Sequence, residues 1–521
     1  MKKYSYYILA LSTFLATSCS DFLTEEPASI ITEEQYYKTE TDALTAINAV
    51  YFFLNTARVQ SPYNTLLNTG MNMGSDDEDP GPGATNPDVR SLAVQSHSSS
   101  NLRVYELWQQ HYAAIRKANV VLSKIPDITF AVPATKDRIL GEAKFLRALF
   151  YFNLVRLYGD VPIVTEYQNF VSTADYAIAK SPSADVYAQI EKDLTEAAAS
   201  LPATYSSPDA GRATAGAAKA LLAKVYLIKA SLPLKLTENY QKAIAKTEEV
   251  LSAADGGTGT YGYSLITDYS RVFLPAYKNG AEHIFSAQMK GNSYSQGNAE
   301  TSRAIFSAIP GLPGNYAHMV RFYTEGNDKF FNIYKLFKAT DKRRDVTFVR
   351  NFTSPANGRK YGLAIVNAAV PNDSTPFWNK WWDPNNLAVT TNSEANVPII
   401  RYAELLLIHA EAENEVNGPS AKAYRSINKV RTRAGLADLT TGLSKDQFRD
   451  SVYFERRLEL TYEYQRWFDL IREKDASGNG ILIKSLQKVG KNNVAEKHYL
   501  YPIPQTEIDN NPLLKQNTLW E

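Results

Sequence analysis

Along the middle of the chain, apolar residues return with the period of a helix. In "GEAKFLRALFYFNLVRLYGDVP", Phe145, Leu149 and Phe152 mark one stripe, and Leu146, Phe150 and Leu157 widen it. That width predicts a helix buried on much of its circumference, stopped by Gly159 and Pro162. The run before it, "NLRVYELWQQHYAAIRKANVVLSKIP", carries Leu107, Trp108, Tyr112, Ile115 and Val121 and ends before Pro126, so the two predict a helical hairpin. A second pair follows in "SADVYAQIEKDLTEAAASLP" and "GRATAGAAKALLAKVYLIKASLP".

The "AKFLRALFYFNLV" of the first pair resembles the "AKALLAKVYLIKA" of the second, with small and large apolar residues in similar places. Such self-similarity points to stacked helix pairs of the tetratricopeptide kind, in which alanines let neighbouring helices approach. From about Gly256 to Asn396 the texture changes to Gly, Pro, Asn, Ser and aromatics with only short periodic pieces. Loops of that length are usually functional or disordered, and the aromatic content argues against disorder, so ligand contacts are expected there. Helices then return. "NVPIIRYAELLLIHAEAENEVNG" precedes Pro419, a candidate first helical residue, and "SAKAYRSINKVRTRAGL", which closes at Gly435. "LSKDQFRDSVYFERRLELTYEYQRWFDLIRE" opens with the capping-box spacing of Ser444 and Gln447, and short extended pieces such as "KHYLYPIP" end the chain. The fold class expected is predominantly all-α: a superhelical scaffold over about 30–255 and 397–521, a loop-rich region over about 256–396, and a few short strands.

Composition narrows the function. With 44% hydrophobic and 21% charged residues the chain is of ordinary globular character. At roughly 150 residues per domain its 521 residues suggest about three structural units, a count that repeat arrays break. Fifty-six basic against 55 acidic side chains leave no field for a polyanion, which disfavours nucleic acid and favours a near-neutral ligand. Thirty-three tyrosines matter because each offers an apolar face and a hydrogen-bonding tip.

The single cysteine, Cys19, stands behind a leader with secretory anatomy: Lys2 and Lys3, a mostly apolar stretch from Tyr4 to about Ala16, then small residues. The stretch is too short to cross roughly 30 Å of hydrocarbon comfortably, and no second apolar run follows, so no membrane span is expected in the mature protein. "LATSC" resembles the lipobox of bacterial lipoproteins, in which cleavage precedes the cysteine and acyl chains are attached to it. Residues 1–18 then form the signal peptide, 19–521 the mature single domain, and several acyl chains hold it on a membrane. Losing Lys2 and Lys3 leaves 54 basic against 55 acidic residues. The short acidic "SDFLTEEP" resembles the surface-export signal of lipoproteins in the Bacteroidetes group.

Catalytic and metal motifs are sparse. None of the six histidines is followed by glutamate, so HExxH is absent. His409 and Glu413 share one helical face, but with no third ligand evident, a packed or capping histidine is the reading. "GTGTYG", Gly257 to Gly262, matches GxGxxG without a surrounding βαβ unit and reads as a turn. Asp76, Asp77, Glu78 and Asp79 offer oxygens suited to calcium, yet lack the alternation of an EF-hand and read as a solvated acidic loop. Glu459, Glu463, Arg466 and Asp469 are spaced for pairing on a helix surface. No pair of carboxylates is singled out for glycoside cleavage.

Four segments in order, "CSDFLTEEP", "GEAKFLRALFYFNLVRLYGDVPIV", "IIRYAELLLIHAEAENEVNG" leading to "INKVRTRAGL", and "ERRLELTYEYQRWFDLIRE" with the terminal "YLYPIPQTEIDNNPLLKQN", resemble the SusD/RagB family of Bacteroidetes outer-membrane nutrient-binding lipoproteins. The resemblance implies four tetratricopeptide-like units under a variable, loop-rich region. It implies a partner, a SusC-like TonB-dependent transporter, and the uptake of glycan fragments or, in some members, peptides, with no catalysis and no cofactor. It implies a lipid-anchored place on the cell surface. The aromatic arc of the SusD-type starch site sits on loops that do not align here, so no binding residue is carried over.

Candidate ligand contacts come from this chain alone. Tyr294, Phe306 and Tyr316 stand among Gly, Ser and Asn, a composition suited to laying rings against sugar faces. In "FWNKWWDP", Trp378 is a further candidate, while Lys380 and Trp381 are read as structural. The loop from Met71 to Arg90 is a second edge, with Asp77 and Arg90 as hydroxyl partners. A glycan-binding, non-catalytic lipoprotein is the expected function; a peptide-binding relative is the alternative.

Overall fold

The computed structural model describes residues 36–55, 61–80, 84–167, 177–291, 333–349, 377–381, 383 and 393–521, with short strands also at 317–319, 352–353 and 360–361. The leader and Cys19 lie outside the described residues. The main helices are α1 (Glu40–Asn55), α2 (Pro87–Ala93), α3 (Leu102–Lys124), α4 (Pro133–Tyr158), α5 (Ser183–Ser200), α6 (Ala215–Ala230) and α7 (Asn239–Glu248). After the variable region come α8 (Tyr402–Asn417), α9 (Ala421–Arg433), α10 (Lys445–Glu459) and α11 (Arg466–Arg472). From α3 to α7 each helix packs on the next, and α7 then packs on α8, which meets α9 and α10. The expected tetratricopeptide-like stacking of helix pairs is thereby formed, and it crosses the long gap in sequence between α7 and α8. No described helix is long and apolar enough to cross a membrane.

Helix α4 shows why the pattern was so wide. Every residue from Phe145 to Tyr158 is buried, because α3 covers one flank and α5 the other. Even its arginines turn inward: Arg147 donates to both oxygens of Asp193, at 2.8 and 2.7 Å. The helix stops at Gly159, whose φ of 75° suits glycine, and where a Cβ would stand 2.8 Å from Leu500. The capping box of Ser444 and Gln447 forms as expected. Pro419, by contrast, is not the first helical residue: Ser420 is the cap of α9, its hydroxyl accepting from the Ala423 N–H.

Among the described residues, eight short strands form four antiparallel pairs: β1 (Glu78–Pro80), β2 (His283–Ala287), β3 (Ala317–Met319), β4 (Phe348–Val349), β5 (Phe352–Thr353), β6 (Lys360–Tyr361), β7 (Phe377–Trp378) and β8 (Val397–Arg401). The antiparallel pairing of β2 with β8 brings together segments more than 100 positions apart in the chain, His283 opposite Arg401 and Ala287 opposite Val397.

The expectation of helix-surface pairing for Glu459, Glu463, Arg466 and Asp469 is corrected by the structure. The helix does not continue: Tyr462 and Tyr464 adopt left-handed backbone, with φ of 62° and 60°, between α10 and α11. That break turns the carboxylates inward, where Glu459 takes Arg433 at 2.6 Å, Glu463 takes Arg401 at 2.7 Å and Lys380 at 2.6 Å, and Asp469 takes Arg456 at 2.9 Å. Arg343, held by Asp341 and Glu455 at 2.8 and 2.7 Å, joins the same cluster. Buried guanidinium and carboxylate groups from β8, α9, α10 and the variable region thus neutralise one another. His409 is a packed histidine, as expected, its Nδ1 2.8 Å from the Ser426 hydroxyl.

Candidate functional site

The two loop edges expected to carry ligand contacts are joined by a strand pair. β1, from the Met71–Arg90 loop, runs antiparallel to β3, with Glu78 opposite Met319, Asp79 opposite His318 and Pro80 opposite Ala317. β3 also lies beside β7. Segments about 240 and 300 positions apart in the chain therefore converge at one junction. Tyr294, Phe306 and Tyr316 lie outside the described residues, and the last of these immediately precedes β3.

The junction rests on buried charge. Asp76 receives two parallel bonds from Arg466, at 2.7 and 2.9 Å, and Asp77 is paired with Arg457. Lys491 points its ammonium into the turn, donating to the carbonyls of Met73 (2.9 Å), Ser75 (2.6 Å) and Glu78 (2.9 Å) and reaching Asp79 at 3.0 Å. Carbonyls curled around one cation fix the backbone that enters β1. The solvated acidic loop expected at Asp76 to Asp79 is thus corrected: Asp76, Asp77 and Glu78 are buried, Asp76 and Asp77 against Arg466 and Arg457, and Glu78 with its carboxylate accepting from the Asn72 amide. Among the described residues no group of three or more His, Cys, Asp or Glu is placed to hold a metal ion.

Two of the candidate contacts change meaning. Trp378 is 1% exposed, with Tyr462 stacked at 4.5 Å and 4° on its ring and Phe348 stacked at 5.2 Å. With rings packed against it in this way it is a core side chain of the junction, not a platform for sugar. Asp77, consumed by Arg457, is a loop clamp and not a hydroxyl partner. Arg90 stays exposed on α2, whose start is capped by the Asn86 side chain. Lys380 and Trp381 are structural, as read: Lys380 donates to the Thr461 carbonyl at 2.6 Å, and the Trp381 indole to that of Tyr462 at 3.1 Å. Lys491, Arg457 and Arg466 are the positioning residues. Arg466 had been singled out by its spacing, but nothing in "VGKNN" marks Lys491.

Burial opposes ionisation of Asp76, yet Arg457 and Arg466 outweigh it and hold the carboxyl well below the usual carboxylate range. A group depressed in the folded state stabilises it above its unfolded value, near 3.9, and that contribution is lost as pH falls through the folded value. Asp76→Asn is therefore expected to cost about 2–3 kcal/mol at pH 7, and less as the pH falls below about 4. Urea unfolding at pH 7, 4 and 3 reads this; a cost that grows on acidification would contradict the assignment.

Comparison with known proteins agrees with this scaffold. A sequence profile described as the SusD family matches residues 249–520, and one described as "Starch-binding associating with outer membrane" matches residues 22–227. A SusD-like protein of Formosa agariphila is 30% identical over 541 residues, covering 99% of both chains. The starch-binding protein SusD of Bacteroides thetaiotaomicron is 25% identical over 484 residues, covering 83% of this chain and 81% of its own. Among solved structures, a laminarin-binding SusD-like protein superposes with a TM-score of 0.72 at 27% identity, over 92% of this chain and 100% of its own. A SusD homologue from Bacteroides thetaiotaomicron reaches a TM-score of 0.76 at 25% identity, over 93% and 98%. With a relative matched end to end and the same stacked helices beneath its loops, the chain belongs to the SusD family.

Proposed function

We propose that this protein is a lipid-anchored receptor of the outer-membrane surface that binds an oligo- or polysaccharide and passes it, uncleaved, to a SusC-like TonB-dependent transporter. The observation that carries the reading is the β1–β3 junction, which unites two separate loop edges on a rigid scaffold of the kind used by a laminarin-binding relative. Rings from the loop before β3, with Tyr294, Phe306 and Tyr316 the proposed ones and Arg90 a polar partner at the opposite edge, would lie against sugar faces. The proposed mature chain is one domain, 19–521, starting at an acylated Cys19.

Affinity gels and calorimetry against a polysaccharide panel that includes laminarin and starch test the binding. Retention by at least one glycan with no release of reducing ends is expected. Binding of peptides and of no glycan would sink the reading and transfer the scaffold to peptide capture. Cys19→Ala is expected to move the protein from the membrane fraction to the soluble fraction, since its attachment is assigned to acyl chains on that sulfur. Fractionation and mass spectrometry of the mature N-terminus check this.

A further inference from the structure

Helix α11 carries Arg466, Asp469 and Arg472 at successive spacings of three, and Glu473 follows as the residue that ends it. Glu473 is 2% exposed and its backbone is fixed on both sides: its N–H donates to the Asp469 carbonyl at 2.9 Å, and its own carbonyl accepts from the Ile481 N–H at 3.3 Å. The carboxyl cannot swing to water without breaking that turn. We propose that Glu473 is a proton-operated switch for the β1–β3 junction: protonated, it leaves Arg466 on Asp76; ionised, it draws Arg466 away and lowers the hold on polysaccharide. The switch regulates the site proposed above and so rests on the glycan reading.

The cations around Glu473 are already committed. Arg472 gives its two terminal nitrogens to Glu411 of α8, at 2.5 and 3.0 Å, and its Nε to Asp469 at 2.9 Å. Arg456 of α10 serves Asp469 at 2.9 Å and Glu404 at 2.7 Å. Arg466 lays Nε and Nη2 on Asp76, at 2.7 and 2.9 Å, and turns its remaining nitrogen, Nη1, toward Glu473 at 3.4 Å. Lys474, next in the chain, reaches Glu415 at 3.6 Å, and Tyr453 of α10, which also faces Glu473, is kept neutral by burial. The other oxygen of Glu473, Oε1, has no partner among the described residues. Glu473 is thus a buried carboxyl with one long contact to a guanidinium that another carboxylate holds more closely.

Such a group is cheaper to bury neutral than charged. Burial, opposed by Arg466 and Arg472 and reinforced by Asp469 and Glu411, pushes the carboxyl up to about 8. Oε2 faces an N–H donor, so the proton sits on Oε1. When that proton leaves for water, the carboxylate pulls Nη1 toward the roughly 2.7–2.9 Å of a charge-assisted bond. A guanidinium is a rigid plane, so the pull tilts its other edge off Asp76. Asp76 stands two residues before β1, where the loop enters the junction. Arg457 still holds Asp77, which makes the result a loosening and not a loss.

The test uses the mature protein and Glu473→Gln, which has the shape of the neutral acid and cannot ionise. Carboxyl carbon NMR of the wild type, labelled in its glutamates, is expected to show a resonance titrating near pH 8 that is missing from the variant. Calorimetry with laminarin and with starch at pH 6.5, 8 and 9.5 is expected to show wild-type affinity falling about 3- to 10-fold over the range, and that of the variant by about 2-fold or less. Lys224 and Lys380, each brought down to about 8 by burial, titrate in the same range in both proteins, so the difference between the two profiles is the measure. By linkage, saturating polysaccharide moves the Glu473 titration to higher pH. No carboxyl titrating above pH 6, or equal profiles in the two proteins, overturns the switch and leaves the glycan reading standing. A carboxyl that titrates near pH 8 in a protein that retains no polysaccharide at any pH overturns the glycan reading, and the role of the switch with it.

Discussion

Replacing Arg401 by methionine is expected to destabilise the folded chain by about 3–5 kcal/mol. Arg401 is 1% exposed and serves Glu282, Glu459 at 3.0 Å and Glu463 at 2.7 Å. Methionine fills most of the volume but leaves carboxylates without the cation they were buried against, and an uncompensated buried charge costs far more than a lost surface pair. Arg401→Lys should recover only part of the loss, because one ammonium cannot reproduce the planar fork that meets several carboxylates at once. The exposed pair of Lys278 and Glu394 is the control: Lys278→Ala should change stability by less than about 1 kcal/mol. Urea unfolding midpoints of the three variants give the comparison. Equal effects of Arg401→Met and Lys278→Ala would show that the buried cluster does not hold the variable region to α10.

Lys491→Met is expected to weaken glycan retention about 10- to 30-fold, an effect larger in binding than in the global unfolding midpoint. The lysine supports a turn, not a helix interface, and its removal strands the carbonyls of Met73, Ser75 and Glu78. Each charge-assisted bond is worth about 1.5–3 kcal/mol, so the turn no longer favours the backbone that feeds β1. Affinity then falls by the fraction of molecules in which the β1–β3 junction is formed. Calorimetry with the retained glycan, run beside thermal melts, separates the effects. Unchanged affinity would mean that the β1 edge is not part of the ligand site.

Much of this was legible in the residues themselves. The stripe of Phe145, Leu149 and Phe152, the stops at Gly159 and Gly435, and the box of Ser444 and Gln447 are signals read within one or two turns of helix, and local periodicity carries them. His409 was read correctly as packed for the same reason, since a metal site needs further ligands and none stood nearby. Trp378 and Asp77 were misread because composition reports residue type and not direction. A tryptophan beside a loop resembles a sugar platform until Tyr462 and Phe348 are found stacked on it.

The amino-acid sequence alone determined the helical stack, because it is written in neighbouring residues. Tertiary structure alone decided which charges are buried and which loops meet. A spacing of three or four residues is the same for a surface pair and for Glu459 and Glu463, and their partners, Arg401, Arg433 and Lys380, arrive from other elements. The joining of β1 to β3 and the cage around Lys491 depend likewise on contacts closed by the whole fold, over separations at which local pattern holds no information.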